Sequence, residues 1–286
     1  MKSKILLLVL LGVLAMPLTS WGQIAMRLEL SRHYFLQYEP VFAKILLRND
    51  SGHAVAFGNH KKLQGQLLFE IIDSRQRRIS RIKGTVYPMV GILLRPGATR
   101  EIVVPVNKYY NLLKCGKYRI KAFIQHNMFE DSYQSNECTF DISQGSVIWQ
   151  RTVGVPDFAE KKQIKRVKTR TFTIRCLLEG QRKTYYLLLE DKKKIYSIKR
   201  IGFELGEERM VCDVDNFSRL HIMLPISPKV FTCLIYNING ELESREVYKR
   251  TDTIPTLIRD PKTGKVYVAG GEKAIKKLDY EDHKEK

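Results

Sequence analysis

Runs of four to nine β-branched, aromatic and aliphatic residues recur along almost the whole chain, each closed off by turn-forming residues. No long segment repeats apolar residues at helical spacing, and only Glu272–Leu278 offers a short helical pattern. The chain is therefore predicted to be all-β. Candidate strands in the first half are Ile24–Leu30, Val41–Arg48, Ala54–Phe57, Gln66–Asp73, Thr85–Val90, Thr99–Val106, Lys117–Gln125 and Glu137–Ile142. In the second half they are Thr171–Leu178, Thr184–Glu190, Lys194–Ile201, Arg209–Val214, Leu220–Leu224, Val230–Ile238, Glu241–Lys249, Pro255–Arg259 and Lys265–Ala269.

The first residues carry a different signal. Lys2 and Lys4 precede the apolar run Ile5–Met16, Pro17 ends it, and Ser20-Trp21-Gly22 puts small residues at positions −3 and −1 of a cut before Gln23. That is the layout of a secretory signal peptide. A run of about twelve residues is short against the roughly 20 that span a bilayer, which weighs against a retained membrane anchor. No cysteine lies near the cut, which weighs against a lipid anchor. The expectation is an exported protein, periplasmic or secreted, with no transmembrane segment after cleavage. Removing residues 1–22 leaves 264 residues, enough for two domains at roughly 100–200 residues each. The expected layout is a signal peptide at 1–22, a β-sandwich at 23–145 and a basic linker at 146–170. A second antiparallel β domain follows at 171–271, with a charged tail at 272–286.

Seven or eight short strands in some 120 residues is the count of a β-sandwich. Leu94-Arg95-Pro96-Gly97, an alternating strand, and then Gly116-Lys117-Tyr118-Arg119-Ile120-Lys121-Ala122 resemble the late half of immunoglobulin-like sandwiches. Tyr38-Glu39-Pro40-Val41 is similar to the start of the second strand in bacterial extracellular sandwich domains. The resemblance implies a fold and no activity. It also implies that Tyr118 makes the corner hydrogen bond common in such domains.

In the second half, Asp215-Asn216…Leu220-His221-Ile222, Tyr236-Asn237-Ile238-Asn239-Gly240 and Pro255…Asp260…Gly264-Lys265-Val266-Tyr267-Val268 resemble β-propeller repeats. The segment has room for only two or three blades, and propellers need at least about four, so a packed antiparallel meander is expected. Asn239-Gly240 is expected to form a type I′ hairpin turn. Pairing Asp213 with His221, and His221 with Leu234, would place Met210, Cys212, Val214, Leu220, Ile222, Leu224, Phe231, Cys233 and Ile235 on one apolar face. Cys212 and Cys233 would then be buried thiols two strands apart, about 9.6 Å, too far to bridge.

The whole chain holds 49 Lys and Arg against 30 Asp and Glu, a formal charge of +19. Such a charge attracts polyanions. Outside the cytoplasm these are anionic polysaccharides or lipid headgroups, and no nucleic acid is expected. Lys161, Lys162, Lys165, Arg166, Lys168 and Arg170 crowd the linker, and Arg75, Arg77, Arg78, Arg81 and Lys83 follow Asp73-Ser74. Each cluster reads either as a solvated surface or as a polyanion contact. If they share a side, they would make a groove for an anionic polymer. Trp149 reads as an interdomain packing residue.

The motifs of hydrolases, zinc proteases, phosphate loops and dinucleotide sites are missing from the sequence, and no catalytic residue, metal site or cofactor is expected. His221 beside Asp213 reads as a structural cross-strand pair, with general-base chemistry as the sharper alternative. Asp213, Asp215 and Asn216 lack the glycine and glutamate of a calcium loop, and His53 and His60 are a weak metal signal. Of the five cysteines, Cys115 and Cys138 are the best disulfide candidates. Asn49-Asp50-Ser51 and Asn216-Phe217-Ser218 are glycosylation sequons. The chain is therefore expected to be a non-enzymatic binding or scaffolding protein of the periplasm or cell surface, whose partner is an envelope protein or an anionic polymer. A cell-envelope enzyme acting on a glycan or peptide is the alternative, because such sites need only two separated carboxylates.

Overall fold

The computed structural model describes residues 24–129, 132–155, 168–205 and 208–280, and it is all-β. The strands are β1 (Ile24–Leu30), β2 (Tyr34–Leu36), β3 (Phe42–Asn49), β4 (Val55–Phe57), β5 (Gly65–Asp73), β6 (Tyr87–Pro88), β7 (Ile92–Leu94) and β8 (Thr99–Pro105). They continue as β9 (Gly116–His126), β10 (Tyr133–Gln134), β11 (Cys138–Ser143), β12 (Ser146–Gly154), β13 (Thr169–Glu179), β14 (Arg182–Glu190) and β15 (Ile195–Phe203). The last are β16 (Val211–Val214), β17 (Leu220–Pro225), β18 (Val230–Tyr236), β19 (Leu242–Lys249), β20 (Thr256–Arg259), β21 (Val266–Ala269) and β22 (Glu272–Lys273). The short helical pattern at Glu272–Leu278 does not form a helix: β22 pairs with β19 through Tyr248↔Lys273, and turns follow. Among the described residues no helix is long and apolar enough to cross a membrane.

The chain divides into two compact units. The first holds the described residues of Met1–Arg32, Pro40–Leu112 and Lys117–Phe140. There β1, β3 and β8 form one antiparallel sheet, and β5 pairs with both β9 and β6. Strand alternation drives the packing. Ala43, Ile45 and Leu47 are buried on β3, Leu67, Phe69 and Ile71 on β5, and Tyr118, Ile120, Ala122 and Ile124 on β9. The register Leu67↔Ile124, Phe69↔Ala122 and Ile71↔Ile120 puts the last two sets on one face. Tyr118 stacks on Phe140 at 5.3 Å, while the hydroxyl of Tyr110 accepts the Phe69 amide at 2.7 Å. The edge of β1 is occupied at Leu28: its amide donates to Asn136 Oδ1 at 2.9 Å, and its carbonyl accepts from Asn136 Nδ2 at 3.1 Å. Asn49 is buried, and its Nδ2 donates to the carbonyls of His53 and Leu94, so the first sequon cannot carry a glycan as folded.

The second unit holds the described residues of His33–Glu39, Leu113–Gly116 and Asp141–Lys286. Its two main sheets are antiparallel meanders, β12-β13-β14-β15 and β16-β17-β18-β19-β22. Phe172, Ile174, Tyr185, Leu187 and Leu189 of the first pack against Val214, Leu220, Ile222, Leu224, Leu234 and Tyr236 of the second. The opposite face of the second sheet is also covered. Met223, Phe231, Cys233 and Tyr248 meet Ile254, Leu257 and Val268, the last two from the β20–β21 hairpin. The expected register holds at Asp213↔His221. It slips by one at the next strand, where His221 faces Ile235 and Ile222 faces Leu234. A one-residue slip exchanges the two faces of a strand. Phe231, Cys233 and Ile235 therefore lie opposite the face shared by Cys212, Val214 and Ile222.

The segment expected to be a linker begins with a nine-residue strand, β12, which pairs with β13 from Ser146↔Cys176 to Gly154↔Thr169. Most of β12 is exposed, so it lacks the apolar alternation that announces a strand. Trp149 pairs with Ile174 and packs against the core of its own unit, where the sequence suggested an interdomain role. The Asn239-Gly240 turn is wider than a type I′ hairpin: it runs from Asn237 to Glu241, and of its two central residues only Gly240 has positive φ.

All five cysteines are free, including Cys115 and Cys138, the best disulfide candidates. Burial pushes the Cys212 thiol up to about 12 and the Cys233 thiol up to about 11. Thiolate is the reactive form. Alkylation of the folded protein near pH 8 is therefore expected to mark exposed Cys115 first and to spare Cys212 and Cys233 until denaturant is added, as read by peptide mass mapping.

Candidate functional site

The predicted basic cluster of the first unit is a hairpin tip whose charges are partly consumed by its own acids. Asp73 ends β5, and its Oδ1 accepts the amides of Arg75 and Arg77 at 2.9 and 3.0 Å. Its Oδ2 accepts from Arg77 Nε and Nη2 at 2.9 and 2.7 Å. The Arg77 amide and guanidinium hold the Asp73 carboxyl below its ordinary range. Arg78 pairs with Glu70 at 2.6 Å. Arg75, Arg81 and Lys83 are exposed. Of the second predicted cluster, Lys161, Lys162, Lys165 and Arg166 lie outside the described residues. Lys168 is exposed just before β13, and its carbonyl accepts the Val155 amide at 2.9 Å. Lys168 and the Arg75–Lys83 cluster belong to different units, and β12 and β13 pair with each other.

A third cluster was not singled out from the sequence. In an antiparallel meander alternate connections fall at the same end. The turns after β14, β16, β18 and β20 all lie at the end where β12 passes to β13. Contacts between them bear this out. Arg170 donates to the Ile238 carbonyl and, at 2.7 Å, to Asn239 Oδ1. Ser218 Oγ donates to the Gly154 carbonyl at 3.1 Å, and the Asn216 amide donates to the Gly264 carbonyl at 3.0 Å.

Each of these four turns opens with an Asp or Asn that accepts the amide two residues on. Asp191 Oδ1 accepts the amides of Lys193 and Lys194 at 2.6 and 2.9 Å, and its Oδ2 accepts the Tyr196 hydroxyl at 2.6 Å. The Tyr196 hydroxyl, then the two amides, hold the Asp191 carboxyl down to about 2. Asp215, Asn237 and Asp260 play the same part in the segments that share the sequence rhythm noted above. The device turns the acid into the loop and leaves the residues after it facing water. After Asp191 these are Lys192, Lys193 and Lys194, and after Asp260-Pro261 comes Lys262, all exposed. Lys192, Lys193 and Lys262 have no ion pair among the described residues. Arg170 and Lys194 flank the Tyr196 ring at 4.2 and 4.4 Å from its centre, a cation–π arrangement. The legible signal was the run Asp191-Lys192-Lys193-Lys194, which reads as a mere turn until the meander places it.

The acids and histidines weighed for chemistry are engaged elsewhere. Asp213 accepts from Arg151 at 2.7 Å and from Arg259 Nε and Nη2 at 3.0 and 2.9 Å. Burial works against its charge, but the Arg259 hydrogen bonds and the Val214 amide hold its carboxyl below the usual range. His221 is buried, and its Nε2 bonds Asp215 Oδ2 at 3.0 Å, not its register partner Asp213. Asp215 is also bound by Arg219 Nε at 2.8 Å. Both carboxylates weighed for calcium are thus paired with arginines. His60 Nδ1 accepts the Lys62 amide at 3.4 Å as the cap of a one-turn helix. Among the described residues, no group of three or more His, Cys, Asp or Glu is arranged to hold a metal ion. No protein-family model matches the chain, and no curated protein is significantly similar to it.

Proposed function

We propose that this chain is an exported, non-enzymatic binding module of the periplasm or cell surface, and that its second unit holds an anionic partner at the turn end of its two meanders. The observation that carries this reading is the pair Lys192 and Lys193: exposed, unpaired, and projecting from a turn whose own acid is bonded inward. Lys262 on a neighbouring turn adds to the same field. The hairpin of Arg77 and Arg78 has less free charge to offer, since Asp73 and Glu70 already bind them. Unpaired surface cations steer an anionic partner and gain Coulomb energy that salt screens. The leader at 1–22 supports an extracytoplasmic site of action, and one-sided strand burial in the first unit supports an immunoglobulin-like sandwich there.

The test is binding of polyphosphate to the mature protein at several salt concentrations. Each lysine near an anionic surface contributes about 1 kcal/mol at low salt. Lys192→Ala with Lys193→Ala is therefore expected to weaken binding by roughly tenfold or more and to flatten its salt dependence. The melting temperature should not change. The variant Arg77→Ala with Arg78→Ala should lose less. Wild-type affinity in the lysine variant would refute the assignment.

A further inference from the structure

We propose that the anionic partner of this end is a lipid bilayer, with Phe217 as the residue that enters it; this rests on the reading of the turn end as a polyanion contact. Phe217 is 59% exposed, at the tip of the Asp215–Arg219 turn. Its exposure is built in. Asp215 Oδ1 accepts its amide at 2.9 Å and that of Arg219 at 3.0 Å, and Ser218 takes a positive φ of 60° to close the tip. The turn is therefore closed by its own hydrogen bonds, and the ring stands largely exposed.

Its neighbours are cationic. The Asn216 amide ties the turn to Gly264, in the loop of Lys262 and Lys265. Ser218 Oγ ties it to Gly154, the partner of Thr169 next to Lys168. Arg219 lies over the ring with its guanidinium carbon 5.3 Å from the centre. A soluble anionic glycan would use the ring as a stacking platform, and Arg219 occupies one face of it. A bilayer needs only the ring's edge to pass the headgroups while the surrounding cations meet anionic lipids. Display of an aromatic on a hydrogen-bonded turn, beside the loop that carries the exposed Lys262 and Lys265, fits that interface.

Three measurements test this on the full mature chain. They are partition onto phosphatidylcholine vesicles with and without phosphatidylglycerol, affinity for soluble polyphosphate, and tryptophan emission of Phe217→Trp. Wild type should bind the anionic vesicles and not the neutral ones. Phe217→Ser should lose about tenfold in vesicle partition with polyphosphate affinity and melting temperature unchanged. Phe217→Trp should bind as wild type, with emission that shifts to the blue on anionic vesicles. Equal vesicle binding by Phe217→Ser, or an unshifted emission, would overturn the lipid assignment and leave the polyanion contact standing. The same would follow if Phe217→Ser lost polyphosphate as well, since the ring would then be an ordinary polyanion contact. Wild type that binds anionic vesicles no better than neutral ones would overturn the lipid assignment alone, and wild type that binds neither polyphosphate nor vesicles would remove both readings.

Discussion

Replacing Asp215 with alanine is expected to lower the stability of the protein by about 3–5 kcal/mol, read as a fall in the urea midpoint with an unchanged slope. Only 1% of its side chain is exposed, and it binds the Arg219 guanidinium, the His221 ring and two amides at once. Its removal strands the His221 ring, 6% exposed, and leaves two turn amides without their acceptor. Buried groups that lose a partner suffer the full cost of desolvation. Asp215→Asn keeps an acceptor for the amides and loses only the charge, so it should cost less. Burial raises the Asp215 carboxyl, yet the bonds from His221 and Arg219 outweigh it and hold the folded value below the unfolded one. Its contribution is therefore full above the unfolded carboxylate range and disappears as pH falls through the folded value. A titration of the urea midpoint should show the acid-side loss in wild type and a smaller one in Asp215→Asn.

Phe172→Ala should be comparably severe, at about 3–5 kcal/mol. Phe172 is fully buried on β13, opposite Leu189 of β14, on the face that meets the second meander. Its loss removes a large apolar surface and opens a cavity between two sheets that cannot close without shifting both. Val147→Ala on exposed β12 is the control, and it should stay within about 0.5 kcal/mol of wild type. Equal midpoints for the two variants would mean that the face-to-face packing does not hold the unit together.

Those two positions also show what the sequence disclosed. Phe172 was legible: the segment around it reads as a strand, and Ile24–Leu30 was placed to the residue. Strands buried on one face write their pattern into the chain. Strand β18 did not, because apolar neighbours cover both its faces. With no polar face to anchor it, the register could slip by one without any visible penalty in the sequence. Strand β12 was missed for the opposite reason, since an exposed edge strand has no core face to mark. The short β2, β7 and β10 contain too few residues to show a period. For the candidate site, charge was legible and pairing was not. Arg77 and Lys192 look alike in the sequence, but the first is held by Asp73, while Asp191 bonds backbone and Tyr196 and leaves Lys192 unbound. Phe217 looked like part of a sequon, and only the turn geometry exposes it as a tip.

The amide of Asn136 has a consequence for self-association. By taking both backbone groups of Leu28, it imitates one rung of a neighbouring ladder and fills the place where a second copy would begin to zip on. A single side chain thus acts as a stopper in the middle of the first strand, so crowding should not seed stacked, fibre-like assemblies from that border.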